Sequence, residues 1–168
     1  MQVDQHTLLL HQSSYVESVL ETFKMKECKH VCTPLPLSLE LSLKDSPDEV
    51  DSDLQSEYRA IVGLLTYLYQ WTPPNLGYAV TFFSRYLHKP GVKHMQAVRH
   101  SLLNLQGTKS LGIHHYTCDL NCLHVRGHDL NVIYGLSDSD FAGCKDTAKS
   151  TSGHVVLLNG GLIAYCSR

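Results

Sequence analysis

The feature that most constrains the fold of this chain is a change of hydrophobic period at Gly107. Before it, apolar residues recur at the three- and four-residue spacing of helices that pack along one face. After it they fall in short runs of branched residues separated by turn formers, the pattern of strands. A chain that switches period once segregates its helices from its sheet, so the expected class is α+β, a helical bundle followed by an antiparallel meander. Proline punctuates the helical part at Thr33-Pro34-Leu35-Pro36, Pro73-Pro74 and Pro90-Gly91. The 168 residues make one domain or two small ones.

The spacing resolves into elements. Leu8-Leu9-Leu10 reads as a short strand. Ser14 with Glu17 forms a capping-box pattern before Val16, Val19, Leu20 and Phe23, which predicts a helix over 14–26. A second helix, over 55–71, carries Tyr58, Ile61, Val62, Leu65 and Leu68 inward. Asn75 is placed to cap a third through Ala79, Phe82, Phe83 and Tyr86. A fourth spans 93–106 with Ala97, Val98, Leu102 and Leu105 buried, and Gly107 as its C-cap. Strands are expected over 111–116, 130–136, 154–158 and 162–166, with Asn159-Gly160 as the hairpin turn of the last pair.

Charge is segregated along this layout. The formal net charge of −2 hides an acidic stretch from Glu40 to Glu57, seven acids against Lys44 alone, which reads as a solvated linker over 38–57. From Tyr58 to Cys118 there is no acid, while Arg59, Arg85, Lys89, Lys93, Arg99 and Lys109 supply positive charge among five histidines and most of the aromatics. A basic, aromatic-interleaved stretch is the electrostatic footprint of a surface that follows phosphates. Arg85, Lys89, Lys93 and Arg99 gather around the turn between the third and fourth helices, and Lys109 follows the fourth. The ordinary alternative is a helical core with solvated lysines.

No apolar run approaches the 18–20 or so residues of a membrane span, and the N-terminus lacks a basic start and a long apolar stretch, so an intracellular chain without membrane partners is expected. Six cysteines in such a chain read as reduced thiols.

Two constellations could carry chemistry. Cys118, Cys122, His124 and His128 have ligand types that suit zinc, but one residue separates the two pairs where structural sites leave about a dozen. Cys28-x-His30-x-Cys32 reads as a loop after the first helix. Ser137-Asp138-Ser139-Asp140 ends an apolar strand, and a carboxylate held by a sheet is the ligand that divalent-metal phosphodiester chemistry uses. Asp138 and Asp140 share a strand face. A two-metal centre needs several carboxylates, and none follows Asp146.

These blocks together resemble the Pol polyprotein of copia-type LTR retrotransposons, across the junction from the end of the reverse transcriptase into ribonuclease H. The likeness is carried by Gln12-Ser13-Ser14-Tyr15, Tyr58-Arg59-Ala60-Ile61-Val62-Gly63, Ser84-Arg85-Tyr86, His88-Lys89-Pro90, Gly107-Thr108, Ser137-Asp138-Ser139-Asp140-Phe141-Ala142-Gly143 and Lys149-Ser150-Thr151-Ser152-Gly153. The resemblance implies that residues 1–12 end a polymerase palm, 13–107 form a helical thumb on the primer-template, and 110–168 open a ribonuclease H-like domain. It makes Asp138 that domain's first carboxylate and a magnesium ligand, and it places Arg85, Lys89, Lys93, Arg99 and Lys109 against an RNA–DNA hybrid. The chain departs from the family at Pro73 and Asn75, at Met95, at Gln106 and at Cys144, and it lacks the polymerase aspartates. The expectation is a truncated, degenerate and catalytically incomplete copy that binds hybrid at most and holds no magnesium alone. The competing expectation is a domesticated protein-interaction module, with self-association through open sheet edges.

Overall fold

The computed structural model describes residues 2–3, 7–72, 74–116, 132–158 and 161–168. The Cys118–His128 constellation, the Asn159-Gly160 turn and Pro73 lie outside the described residues. The architecture is α+β, with four helices and two small antiparallel sheets among the described residues. Helices α1 (Ser13–Thr22), α2 (Ser52–Trp71), α3 (Gly77–Ser84) and α4 (Val92–Gly107) form the bundle. Its core takes Val16, Val19 and Leu20 from α1, Tyr58, Ile61, Val62, Leu65 and Leu68 from α2, Phe83 from α3, and Val98, Leu102 and Leu105 from α4. Burying each large side chain stabilises the bundle by about 1.5–3 kcal/mol.

Helix ends depart from the predicted ones for local reasons. The first helix stops at Thr22 because Lys24 takes a left-handed φ of 56° and closes a Schellman motif, in which Lys24 N–H donates to Glu21 O and Met25 N–H to Leu20 O. Ser14 makes no capping box; the helix starts at Ser13, whose hydroxyl donates to Lys109 O at 2.9 Å. Asn75 lies in a one-turn 3-10 helix (Pro74–Leu76) and caps nothing, and α3 ends at Ser84, although Tyr86 beyond it is still buried. Thr108, not Gly107, caps α4.

The acidic stretch is folded rather than a free linker. Leu41 is buried, and Ser42 and Asp45 form a reciprocal capping box around a one-turn 3-10 helix, Leu43–Asp45. Asp51 then caps α2, accepting from the N–H groups of Asp53 and Leu54 at 2.9 and 3.1 Å, so Asp53 and Glu57 are helical residues.

The strands divide between two sheets. Strand β2 (Thr7–His11) pairs with β1 (Gln2–Val3) and with β3 (Gly112–Tyr116), so β3 joins the N-terminal strands and not the later ones. The pairing sets Leu10 opposite Ile113, which is buried. Strands β4 (Ile133–Ser139), β5 (Ser152–Leu158) and β6 (Gly161–Ser167) form the meander, with β5 central.

Helices and meander are docked by directed bonds. Tyr165 Oη donates to Tyr69 O, and Ser167 N–H donates to Tyr69 Oη at 3.0 Å, with the two tyrosine rings edge-on at 5.3 Å. Thr81 Oγ1 donates to Ser167 O at 2.9 Å, and the Arg85 guanidinium donates to Thr151 Oγ1 at 2.9 Å.

Candidate functional site

The basic residues singled out in the sequence do not form one patch. Arg85 lies half-buried in the seam between α3 and the meander, its guanidinium 5.6 Å over the Phe82 ring. Lys93 pairs with Asp45 at 2.5 Å and Arg99 with Glu57 at 2.6 Å, so the acidic stretch folds back onto two of the cations expected to be free. Both cations are more than half exposed, so water and salt screen these pairs and another anion can replace the carboxylate. Lys89 is exposed and forms no ion pair among the described residues, and the Lys109 carbonyl accepts from Ser13.

Sequence reasoning missed a row on α2. Arg59, Gly63, Tyr67 and Trp71 recur every fourth residue and are all exposed, Tyr67 at 47% and Trp71 at 61%. A Cβ added at Gly63 would meet nothing within 4 Å, so the row has an open saddle between its cation and its aromatics. Tyr15 of α1 packs edge-on against Tyr67, centroids 4.9 Å apart, and steadies that ring. Arg59 Nε donates to Leu87 O at 3.0 Å, which brings the turn carrying His88 and Lys89 alongside the row. The signal was available: four positions at helical spacing, inside the acid-free stretch, whose side chains do not belong to the core stripe.

The second candidate is a cleft of about 450 Å³ between α3 and one face of the meander, with Tyr69, Tyr78, Tyr165, Leu136 and Asp138 among its walls. Asp138 lies within β4 opposite Gly153, which has no side chain to shade the carboxylate. Its Oδ1 accepts only the N–H of Ser139, at 2.9 Å, among the bonds of the described residues. Asp140 is outside the strand and committed elsewhere: its Oδ1 accepts from Thr151 N–H, and its own N–H donates to Thr151 O. The strand-face partnership expected of the two aspartates is therefore replaced by a structural clamp. Among the described residues no three His, Cys, Asp or Glu side chains converge to hold a metal ion, Cys28, His30 and Cys32 included. Burial raises the phenols of Tyr69 and Tyr165 above their ordinary range, so both stay protonated in the cleft wall, Tyr165 as a donor and Tyr69 as an acceptor.

One buried histidine is structural. His94 is fully buried, its Nδ1 accepts from Gly91 N–H at 2.9 Å at the start of α4, and its ring lies 4.2 Å from that of Tyr86. Nε2 then carries the proton, without a partner among the described residues. Burial, the largest effect, holds the His94 pKa below its ordinary 6.5, against the raising influence of Asp45, the Ser42 backbone and Asp146 and with a small lowering from Lys93. Between that lowered value and about 6.5 the unfolded chain binds a proton that the folded one refuses, so stability falls as pH drops through this window and is retained above it. Denaturant midpoints at pH 7.5 and pH 5 should differ in that direction, and His94→Gln should shrink the difference. A midpoint that rises on acidification would refute the assignment.

The class defined by these features is an α+β chain with an exposed cation-and-aromatic helix row and a lone strand carboxylate in a neighbouring cleft. The chain belongs to the retrovirus-related Pol polyproteins of copia-type transposons. It is 37% identical over 164 residues to the Pol polyprotein of transposon TNT 1-94 from Nicotiana tabacum, covering 96% of this chain and 12% of that protein. To the Pol polyprotein of transposon RE1 from Arabidopsis thaliana it is 35% identical over 161 residues, covering 96% and 10%. An uncharacterized mitochondrial protein of Arabidopsis thaliana matches at 32% over 163 residues, covering 96% of this chain and 61% of that one. The chain thus spans about a tenth of the Pol polyproteins it matches. No family model matches, and no solved structure matches. No described helix is long and apolar enough to cross a membrane.

Proposed function

We propose that this chain corresponds to the thumb and the opening ribonuclease H-like strands of a copia-type Pol polyprotein, and that it binds RNA–DNA hybrid through α2 without completing a catalytic centre. The observation that carries the reading is the exposed row of Arg59, Gly63, Tyr67 and Trp71. The glycine admits a sugar–phosphate backbone against the helix, the aromatics offer flat surfaces to bases or sugars, and Arg59 with Lys89 supplies charge for phosphates. Residues 13–107 are the thumb in this reading and residues 1–12 the end of the palm.

Asp138 is the vestige of the catalytic half. Magnesium, which the family resemblance implies, does not fit the described residues: Asp138 is one carboxylate, and Asp140 is held by Thr151. No chemical step is assigned to the cleft.

Incubating the chain with labelled RNA–DNA hybrid and magnesium should retard the hybrid on a native gel and leave the RNA strand intact. Absence of retardation would contradict the binding, and cleavage abolished by Asp138→Asn would contradict the incompleteness.

A further inference from the structure

The seam between α3 and the meander holds a second cavity, of about 470 Å³, on which three cations converge from three parts of the chain: Arg85 beyond α3, Lys149 before β5 and Arg168 after β6. We propose that this seam cavity is an oxyanion site that takes a phosphate group. The position follows from charge and hydrogen bonding. After Asp146 the sequence holds no Asp or Glu side chain, and neither Lys149 nor Arg168 forms an ion pair among the described residues. Asp146, the one acidic side chain in the cavity wall against three basic ones, turns both oxygens to Leu43 N–H, at 3.0 and 3.1 Å. Arg85 is anchored through one N–H to Thr151 Oγ1, which fixes its planar fork at the cavity wall. Ser150 Oγ accepts from Ala142 N–H at 3.1 Å, which leaves its own hydroxyl hydrogen to donate.

The turn that bears these groups is closed on itself. Cys144 N–H donates to Lys149 O at 3.0 Å and Ala148 N–H to Cys144 O at 2.8 Å, with Ala148 at a left-handed φ of 52°. The floor of the cavity already favours negative charge. The Thr147 hydroxyl, the largest influence, holds the Cys144 thiol below its ordinary pKa against the raising effect of burial, with smaller help from the backbone N–H groups of Asp146 and Thr147 and from Arg85. A phosphate group is the oxyanion matched to a guanidinium fork, an ammonium and a hydroxyl; its source is either the free ion or a nucleic-acid backbone crossing the seam. The cavity shares no residue with the α2 row, so its occupancy does not depend on the hybrid-binding reading.

Cys144 lines the cavity, whereas Cys28 and Cys32 are exposed elsewhere, so one chain supplies both reporter and control. Alkylation by iodoacetamide, mapped by mass spectrometry, is followed with inorganic phosphate in one arm and a thymidine octanucleotide in the other, at constant ionic strength. Saturable protection of Cys144 alone is expected, with the apparent affinity weakened about tenfold by Lys149→Gln, the loss of one charge-assisted hydrogen bond. Protection by phosphate assigns the free ion, and protection by the oligonucleotide assigns the phosphodiester. If Cys144 reacts too slowly to follow, the backbone amide resonances of Lys149 and Ser150 report the same titrations. No protection and no amide shift in either arm, equal protection of all three cysteines, or indifference to Lys149→Gln would overturn the site.

Discussion

Replacing Phe83 by alanine is expected to cost about 3–5 kcal/mol, the usual toll of emptying a fully buried aromatic position. Phe83 has no exposed surface, sits where α3 meets α2, and its carbonyl accepts the hydroxyl of Tyr58 at 2.9 Å. The Tyr58 phenol is itself pushed far up by burial, so it stays a neutral donor to that carbonyl at any ordinary pH. With total stabilities of about 5–15 kcal/mol for domains of this kind, the variant should be partly unfolded without denaturant. Phe141→Ala is the matched control, because that ring is 98% exposed and its loss should shift stability by less than about 0.5 kcal/mol. Equal urea midpoints for the two variants would mean that the bundle core is not where the fold is held.

The α2 row gives the second large effect. An aromatic stacked on an unpaired base contributes about 1–3 kcal/mol, and in a hybrid, whose bases are paired, the rings meet the sugars instead, so Tyr67→Ala and Trp71→Ala should each weaken hybrid binding by about fivefold, the low end of that range. The two sit one turn apart, so their combined effect is not expected to be additive. Gly63→Leu separates binding from folding. It replaces the poorest non-proline helix former, which should stabilise α2 by nearly 1 kcal/mol, and nothing lies within 4 Å of the added Cβ. It also fills the saddle through which a backbone would approach. Higher stability with weaker hybrid binding is the expected outcome, and unchanged hybrid binding in Gly63→Leu would exclude the saddle as the contact.

The parts of this fold that were legible in the sequence are those with strong periodicity. The core stripe of α2, from Tyr58 to Leu68, and that of α4, from Ala97 to Leu105, are buried as the spacing indicated. The ends were less legible because they were decided by single backbone conformations. The left-handed Lys24 ended α1, and Asp51 started α2 before the apolar repeat began. Composition misled at residues 40–57, where abundant acids and serines read as a solvated linker. Several of those groups make specific bonds: Ser42 with Asp45, Asp45 with Lys93, Glu57 with Arg99, and Glu40 with Lys145. For the same reason the basic residues looked freer than they are. Charge counting along a chain cannot see which acids fold back, whereas the exposed α2 row stands on helical geometry that spacing does convey.

The separation of β3 from the later strands was not legible either. Strand pairing joins segments far apart in sequence, and the partner of β3 is β2, residues seven to eleven, a hundred positions away.

The most direct test is the affinity of the chain for an RNA–DNA hybrid measured at graded salt. A row that meets the backbone through Arg59, Lys89 and their neighbours displaces a few counterions, so log K should fall with log salt at a slope of roughly −2 to −4. Arg59→Gln with Lys89→Gln should reduce that slope by about 2, as two phosphate contacts are lost. A binding constant indifferent to salt, or a slope unchanged in the double variant, would contradict hybrid binding through α2.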